Sequence, residues 1–288
     1  MALSLLSLCA KEVVSDHSSS PHWLRWVPRE LYGPLLEASF AGCRPLAVGE
    51  LVQRWPERRL RIGGRRKQGQ RPPSRLCVQA LLLAVVRGLS DQRLVIDEGF
   101  SLSQPLEVLE LPYLSLSAAD LSYLSCSHHA STLQQLDLSE NRLDAHTLSS
   151  VRRLLSQASG SLRHLSLSGC GLSDDLLGPL LPSLGCCSSL RSLALALNPL
   201  STAGLVKTVR MVTRVPSMRQ LLYPNPLEEY QPGLPELPSS AQLLDWPLDE
   251  SKDINATSSL LNKVLKDCGR SDIVLTCDLL NYEKDSAE

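Results

Sequence analysis

Aromatic side chains are scarce in this chain, with 2 Phe, 6 Tyr and 4 Trp among 288 residues. Sandwiches and barrels draw heavily on aromatic and β-branched strand residues, so this composition argues against both. Long apolar runs are missing too. The longest inside the chain, Ala80–Val86, makes about two helical turns and is too short to span a bilayer. The apolar start, Met1–Ala10, lacks a basic leading segment and runs into Lys11-Glu12, so no secretion signal is expected. Nine cysteines are an odd number and include no C-x-x-C pair, which excludes a zinc ribbon or a thioredoxin-type centre. Reduced, mostly buried thiols in a soluble intracellular protein are expected, cytoplasmic with the nucleus as a second location. There is no phosphate-binding glycine loop, no G-x-S-x-G, no zinc-protease helix and no dinucleotide fingerprint, so an enzyme is not expected, nor is a cofactor.

What is abundant is leucine, 61 residues of it, and the leucines recur at fixed intervals. From Leu106 the chain reads L-E-V-L-E-L-P-Y-L-S-L, from Leu133 L-Q-Q-L-D-L-S-E-N-R-L, from Leu162 L-R-H-L-S-L-S-G-C-G-L, and from Leu190 L-R-S-L-A-L-A-L-N-P-L. A decayed copy opens at Met218, and the starts lie 27, 29, 28 and 28 residues apart. This is the pattern L-x-x-L-x-L-x-x-N/C-x-L of leucine-rich repeats. Alternation turns each L-x-L pair inward. Asn141, Cys170 and Asn198 follow where the chain leaves the strand, and a buried amide or thiol there can satisfy loop backbone groups. Leu114 takes that slot in the first copy. The second half of each copy has helical spacing, as in Leu148, Val151, Leu154 and Leu155, or Leu176, Leu177, Leu180, Leu181 and Leu184. Asp144, Ser173 and Ser201 stand before these stretches as N-caps. The expected fold is therefore α/β: a leucine-rich-repeat horseshoe with a parallel concave sheet and helices outside, carrying a small helical N-terminal region.

Charge divides the chain. Residues 1–75 carry a net +7 and residues 76–288 a net −8. The expected organisation is a helical region over 1–62, a flexible basic linker over 63–75 and a joining helix and cover over 76–104. Repeats follow over 105–228, then a loop and C-terminal cap over 229–288. Arg58–Arg75 holds 8 basic residues and no acidic or aromatic one; it reads as a solvated linker, and nucleic acid is not an expected partner. Cys126-Ser-His128-His129 has no further ligands nearby, so no metal site is expected. Cys186-Cys187 reads as a packed turn.

Two short patterns mark the N-terminal region. In Ser4-Leu5-x-x-x-Cys9-x-x-x-Val13, Leu5, Cys9 and Val13 are four residues apart, on one helical face, in the spacing of a BC box that docks on elongin C. A plain amphipathic helix covering the core fits the same spacing. Val27-Pro28-x-x-Leu31-x-x-x-Leu35 has the form of a cullin-2 box. Pro28 suits a first helical turn, and Gly33-Pro34 is expected to break the helix before Leu35. The stretch from Val27 to Phe40, then Leu51-Val-Gln-Arg-Trp-Pro56, resembles the head of the PRAME family and its leucine-rich-repeat relatives. Leu180–Leu184, Leu222–Tyr230 and a helix, a Gly-Arg step and a strand at the end resemble its tail. The family's middle is longer, and here only residues 63–105 stand in its place. The resemblance implies a substrate receptor of a cullin-2 RING ubiquitin ligase with elongin B and C as adaptors. It also implies links to repression of transcription and to signalling.

The face expected to hold a protein client is formed by outward strand residues: Glu110, Gln135, Asp137, His164 and Ser166, with Ser192, Ala194 and Ala196 beyond them. Small side chains toward the C-terminal repeats leave room for close approach, and Glu110 and Asp137 favour a basic client segment. An open curved sheet offers no enclosed site for a small-molecule substrate.

Overall fold

A strand that alternates leucine with polar residues, repeated in register, can bury its leucines only by lying beside its own copies. In a computed structural model, which describes residues 5–15, 26–64, 72–87, 105–253 and 255–277, seven such strands form one parallel sheet in chain order. They are β1 (Arg59–Arg61), β2 (Val108–Glu110), β3 (Gln135–Asp137), β4 (His164–Ser166), β5 (Ser192–Ala194), β6 (Gln220–Tyr223) and β7 (Val274–Cys277). The register aligns Leu60, Leu109, Leu136, Leu165, Leu193, Leu221 and Leu275 in one inward column. All but Leu275 are buried. Complete burial of a leucine is worth about 2 kcal/mol, and neighbouring repeats share that gain. The fold is the leucine-rich-repeat horseshoe, mixed α and β.

Between strands the chain returns through helices: α5 (Ala118–Ser125), α6 (Ala145–Ala158), α7 (Asp174–Gly185) and α8 (Thr202–Val212). Their buried stripe includes Leu148, Val151, Leu154, Leu155, Leu177, Leu180, Leu184, Leu205 and Val209. Asp144 caps α6 by accepting from the amides of His146 and Thr147, and Ser201 caps α8 through the amide of Gly204. Ser173 occupies the N-cap of α7 without a side-chain bond. Ser117 caps α5 in a reciprocal box with Asp120 that the sequence reading did not find.

Region 1–62, expected as a helical N-terminal region, holds α1 (Leu5–Ser15), α2 (Tyr32–Ala41) and α3 (Pro45–Gln53) and ends in β1, a strand that was not expected. The reason is local alternation: Leu60 and Ile62 point into the core while Arg59 and Arg61 face out. Arg58 pairs with Glu107 and Arg61 with Glu110 across the seam to β2. Helix α4 (Arg75–Arg87) then returns as a repeat helix would, burying Cys77, Val78, Leu81, Leu82 and Val85. The stacked core therefore begins well before residue 105. Residues 65–71 of the basic linker and 88–104 of the joining region lie outside the described residues. At the far end α10 (Ala256–Asp267) buries Leu261 and Leu265. Arg270 donates to the carbonyls of Thr213, Val215 and Met218, held by Asp272 at 2.8 Å, and β7 closes the sheet.

Within the loop and C-terminal cap expected over 229–288, residues 229–250 form a strap laid across the strand ends. Tyr230 bridges Leu248, and α9 (Ser240–Asp245) sets Leu243 beside Ala196, Leu197 and Tyr230 in a second apolar cluster. Ser240 donates to Glu140 at 2.7 Å, tying the strap to the third strand's turn. Glu140 in turn leans over Gly169, where φ is +65° and a Cβ would lie 2.3 Å from the carboxylate. Gly169→Ala is expected to cost about 2 kcal/mol in urea unfolding, from left-handed strain and the lost Ser240 bond. Gly49→Ala, in the open middle of α3, is expected to gain about 0.5–1 kcal/mol. Equal effects from the two would contradict this account of the turn.

Candidate functional site: the concave face and the exposed head

The turn after each strand sets which way the concave side chains point. Asn141 donates its amide to Leu111 O (2.8 Å) and Leu138 O (2.9 Å) and accepts from Leu116 N (3.1 Å). Asn198 repeats this with Leu167 O and Leu195 O (both 2.9 Å) and Leu172 N (2.9 Å). Cys170 makes the weaker version, donating its thiol to Leu138 O at 3.3 Å. The preceding residues Tyr113, Glu140, Gly169 and Leu197 all have positive φ, although only one is glycine. Sequence reasoning missed this shared left-handed step, whose one signal was Gly169. It also missed Asn225, which is buried and accepts the thiol of Cys277 at 3.0 Å.

On the concave face two rows of side chains follow from the strand register. One is Val108, Gln135, His164, Ser192 and Gln220; the other is Glu110, Asp137, Ser166, Ala194 and Leu222. Gln135, Asp137, His164, Ser166, Ser192 and Ala194 line a shallow depression of about 270 Å3. Four of the five expected contact positions thus meet there. Glu110 stands outside it, held by Arg61 at 3.1 Å and by the Gln135 amide at 2.8 Å. Its charge is therefore already matched, which removes half of the basis for expecting a basic client. Asp137 accepts from the amide of Ser139 at 2.8 Å. Partial burial, then the guanidinium groups of Arg191 and Arg163, hold the His164 imidazole below its usual pKa. Of the small C-terminal positions, Ser192 and Ala194 line this open depression, whereas Ala196 is buried beneath the strap.

At the other end, Leu5, Cys9 and Val13 lie together on the exposed side of α1, Leu5 being 78% accessible. Ala10 and Val14 on the opposite side are buried and anchor the helix. Ser4, which opens that pattern, lies outside the described residues. Val27 and Leu31 are half-buried against the core and Pro28 is exposed. Leu35 is a core residue, 3% exposed, and so does not share a surface with the others. Gly33-Pro34 does not break a helix. A short 3-10 turn over Arg29–Leu31 precedes it, and Pro34 sits in the first turn of α2, where its missing N–H has no intrahelical acceptor to lose. Trp26, Leu46 and Leu76 are exposed hydrophobics of the same region that sequence reasoning did not single out.

His129 is buried and its Nδ1 accepts from the amide of Leu106 at 2.9 Å, pinning the first repeat's helix end to the start of its strand. Among the described residues no group of three metal-ligating side chains occurs, and no helix is long and apolar enough to cross a membrane.

A stacked parallel sheet with an open, polar concave face is that of a leucine-rich-repeat protein-interaction module. The PRAME C-terminal domain model matches residues 77–276 and the PRAME N-terminal domain model residues 2–100. The chain belongs to the PRAME family. It is 39% identical over 178 residues to leucine-rich repeat-containing protein 14 of Xenopus laevis, covering 62% of this chain and 35% of that one. The Rattus norvegicus protein of that name is 35% identical over 206 residues, covering 71% and 40%. Human PRAME family member 22 is 36% identical over 127 residues, covering 44% and 26%. The chain thus spans well under half the length of these relatives.

The thiols report on the stacking. Burial pushes Cys187 up to about 11 and Cys170 higher still, whereas the neighbouring Cys186 is exposed. At pH 8 only about a thousandth of Cys187 is thiolate, so native iodoacetamide labelling is expected at Cys9, Cys43, Cys126, Cys186 and Cys268, with Cys77, Cys170 and Cys187 labelled only after unfolding. Mass spectrometry finding Cys170 as reactive as Cys186 in the native protein would contradict the packed ladder.

Proposed function

We propose that this protein is a substrate-recognition adaptor of a cullin-2 RING ubiquitin ligase, its head docking elongin C and cullin-2 and its concave face holding a client protein. The observation that supports the reading most is the outward face of α1. Leu5, Cys9 and Val13 carry the BC-box spacing, and they stand in solvent while Ala10 and Val14 fix the helix from behind. Eight of the eleven most exposed large hydrophobics fall between residues 5 and 83, a concentration that solvent alone does not favour. In this role the chain performs no chemistry. It raises the local concentration of client lysines near a charged conjugating enzyme. Elongin B enters through elongin C.

One observation favours a second reading. Leu35, the last position of the cullin-box pattern, is buried in the core and unavailable to a partner. A module that sequesters a signalling or transcription regulator without assembling a ligase needs no such contact.

Affinity purification from cell extract separates the two. The ligase reading predicts elongin B, elongin C and cullin-2 in the eluate, and their loss by thirtyfold or more on Leu5→Ser with Cys9→Phe, since truncating an anchor side chain costs about 2 kcal/mol or more. A stable native complex that lacks elongins and is indifferent to that double substitution would overturn it in favour of sequestration.

A further inference from the structure

The residue just before each of the first six strands belongs to a third row beside the two concave ones, and the charges of this row are distributed unevenly. In register it runs Arg58, Glu107, Gln134, Arg163, Arg191, Arg219, each linked to the next by a backbone bond, as Arg163 N to Gln134 O, Arg191 N to Arg163 O and Arg219 N to Arg191 O. The row's ends are neutralised: Arg58 pairs with Glu107, and Arg219 pairs with Asp272 at 3.2 Å. The two central members, Arg163 and Arg191, are exposed and form no ion pair among the described residues. Like charges on adjacent strands repel, so folding gains nothing from placing them there. Arg163 and His164 donate their backbone N–H groups to the same Gln134 carbonyl, and Arg191 and Ser192 theirs to the Arg163 carbonyl, so each arginine stands directly beside a residue that lines the depression. Within the lining the Ser192 hydroxyl is a neutral hydrogen-bond donor, while Asp137, on the β3 side, is its one acidic group.

We propose that Arg163 and Arg191 form the anchor of a site for an acidic peptide segment, rich in Asp or Glu, lying across β4 and β5 at the starts of the strands. The charge complement is the argument. Every other arginine of the row already has its carboxylate on this chain, and these two await one from outside. A nucleic acid fits less well, because no aromatic side chain lines the depression to stack a base. This inference rests on the concave face being the client surface and is independent of what the head binds, so an elongin-free result leaves it standing.

Fluorescence anisotropy of the full chain with a labelled peptide of alternating Glu and Ser tests the proposal, with a Lys–Ser peptide and a single-stranded RNA of similar length as comparisons. The Glu–Ser peptide is expected to bind, to weaken as salt rises, and to lose about tenfold or more in affinity on Arg163→Glu with Arg191→Glu. Arg152→Glu with Arg153→Glu, exposed on the outer helix α6, is expected to leave binding unchanged. Should the concave reversal fail to melt like the parent, Arg163→Gln with Arg191→Gln is expected to give a smaller loss in the same direction. Equal losses from the two reversals, an acidic peptide indifferent to both, or tighter binding of the Lys–Ser peptide or the RNA would each overturn the assignment.

Discussion

The hydrogen bonds from Asn141 and Asn198 to the backbone carry the architecture. Each amide holds three groups at a turn whose preceding residue has a left-handed backbone. Glu140 and Leu197 gain nothing from that conformation by themselves, and for a bulky residue it costs about 1–2 kcal/mol. A buried side chain that satisfies both the strand's last carbonyls and the next segment's amide offsets this cost and leaves few buried polar groups without partners. Because each side chain reaches back to the previous repeat, the turn of one copy also fixes the spacing of its neighbour. The inward leucine column is a consequence of that spacing as much as of hydrophobicity.

From this follows what the molecule presents. Parallel strands held in register project their alternate side chains as rows, so single charges become lines of charge. Where the chain pairs them itself, as at Glu110 with Arg61, the row is closed to a partner; where the described residues provide no ion pair, as at Arg163 and Arg191, a charge remains open. The strap with Tyr230, Leu243 and Trp246 covers the strand ends on the C-terminal side and confines the open face to the middle repeats. At the opposite end the head turns leucines outward on α1 while sharing the core through Leu35, Leu36 and Leu51. Head and repeats are therefore one packed body with two different surfaces.

The repeats were legible because they obey a period: Leu109, Leu136, Leu165 and Leu193 announce themselves at intervals of 27–29 residues, and the Asn/Cys slot confirms the phase. β1 was not, since Arg59-Leu-Arg-Ile supplies too short an alternation to stand out until β2 lies beside it. The left-handed turns were hidden wherever evolution placed Tyr113, Glu140 or Leu197 in place of glycine, because tertiary hydrogen bonds and not local propensity enforce them. The strap was hidden behind Pro232, Pro235 and Pro238, which read as a loop in any sequence. Of the candidate site, the outward rows were readable from alternation, but the pairing of Glu110 and the burial of Ala196 depend on residues 25 to 50 positions away. The arginines at 163, 191 and 219 occupy the same slot in three successive copies and were there to be seen. They fall outside the L-x-L alternation that drew attention to the face.

The most direct test of the ladder is residue-resolved native-state hydrogen exchange on Asn198→Ala beside the parent. The amide of Leu172, which Asn198 holds at 2.9 Å, is expected in the parent to exchange only through global unfolding. In the variant it should exchange at least about tenfold faster, with the turns at Gly169 and Leu197 following and Leu109 of the second strand, farther along the stack, losing less protection. Unchanged protection at Leu172, or loss spread evenly over all seven strands, would contradict the claim that these side-chain bonds set the repeat geometry.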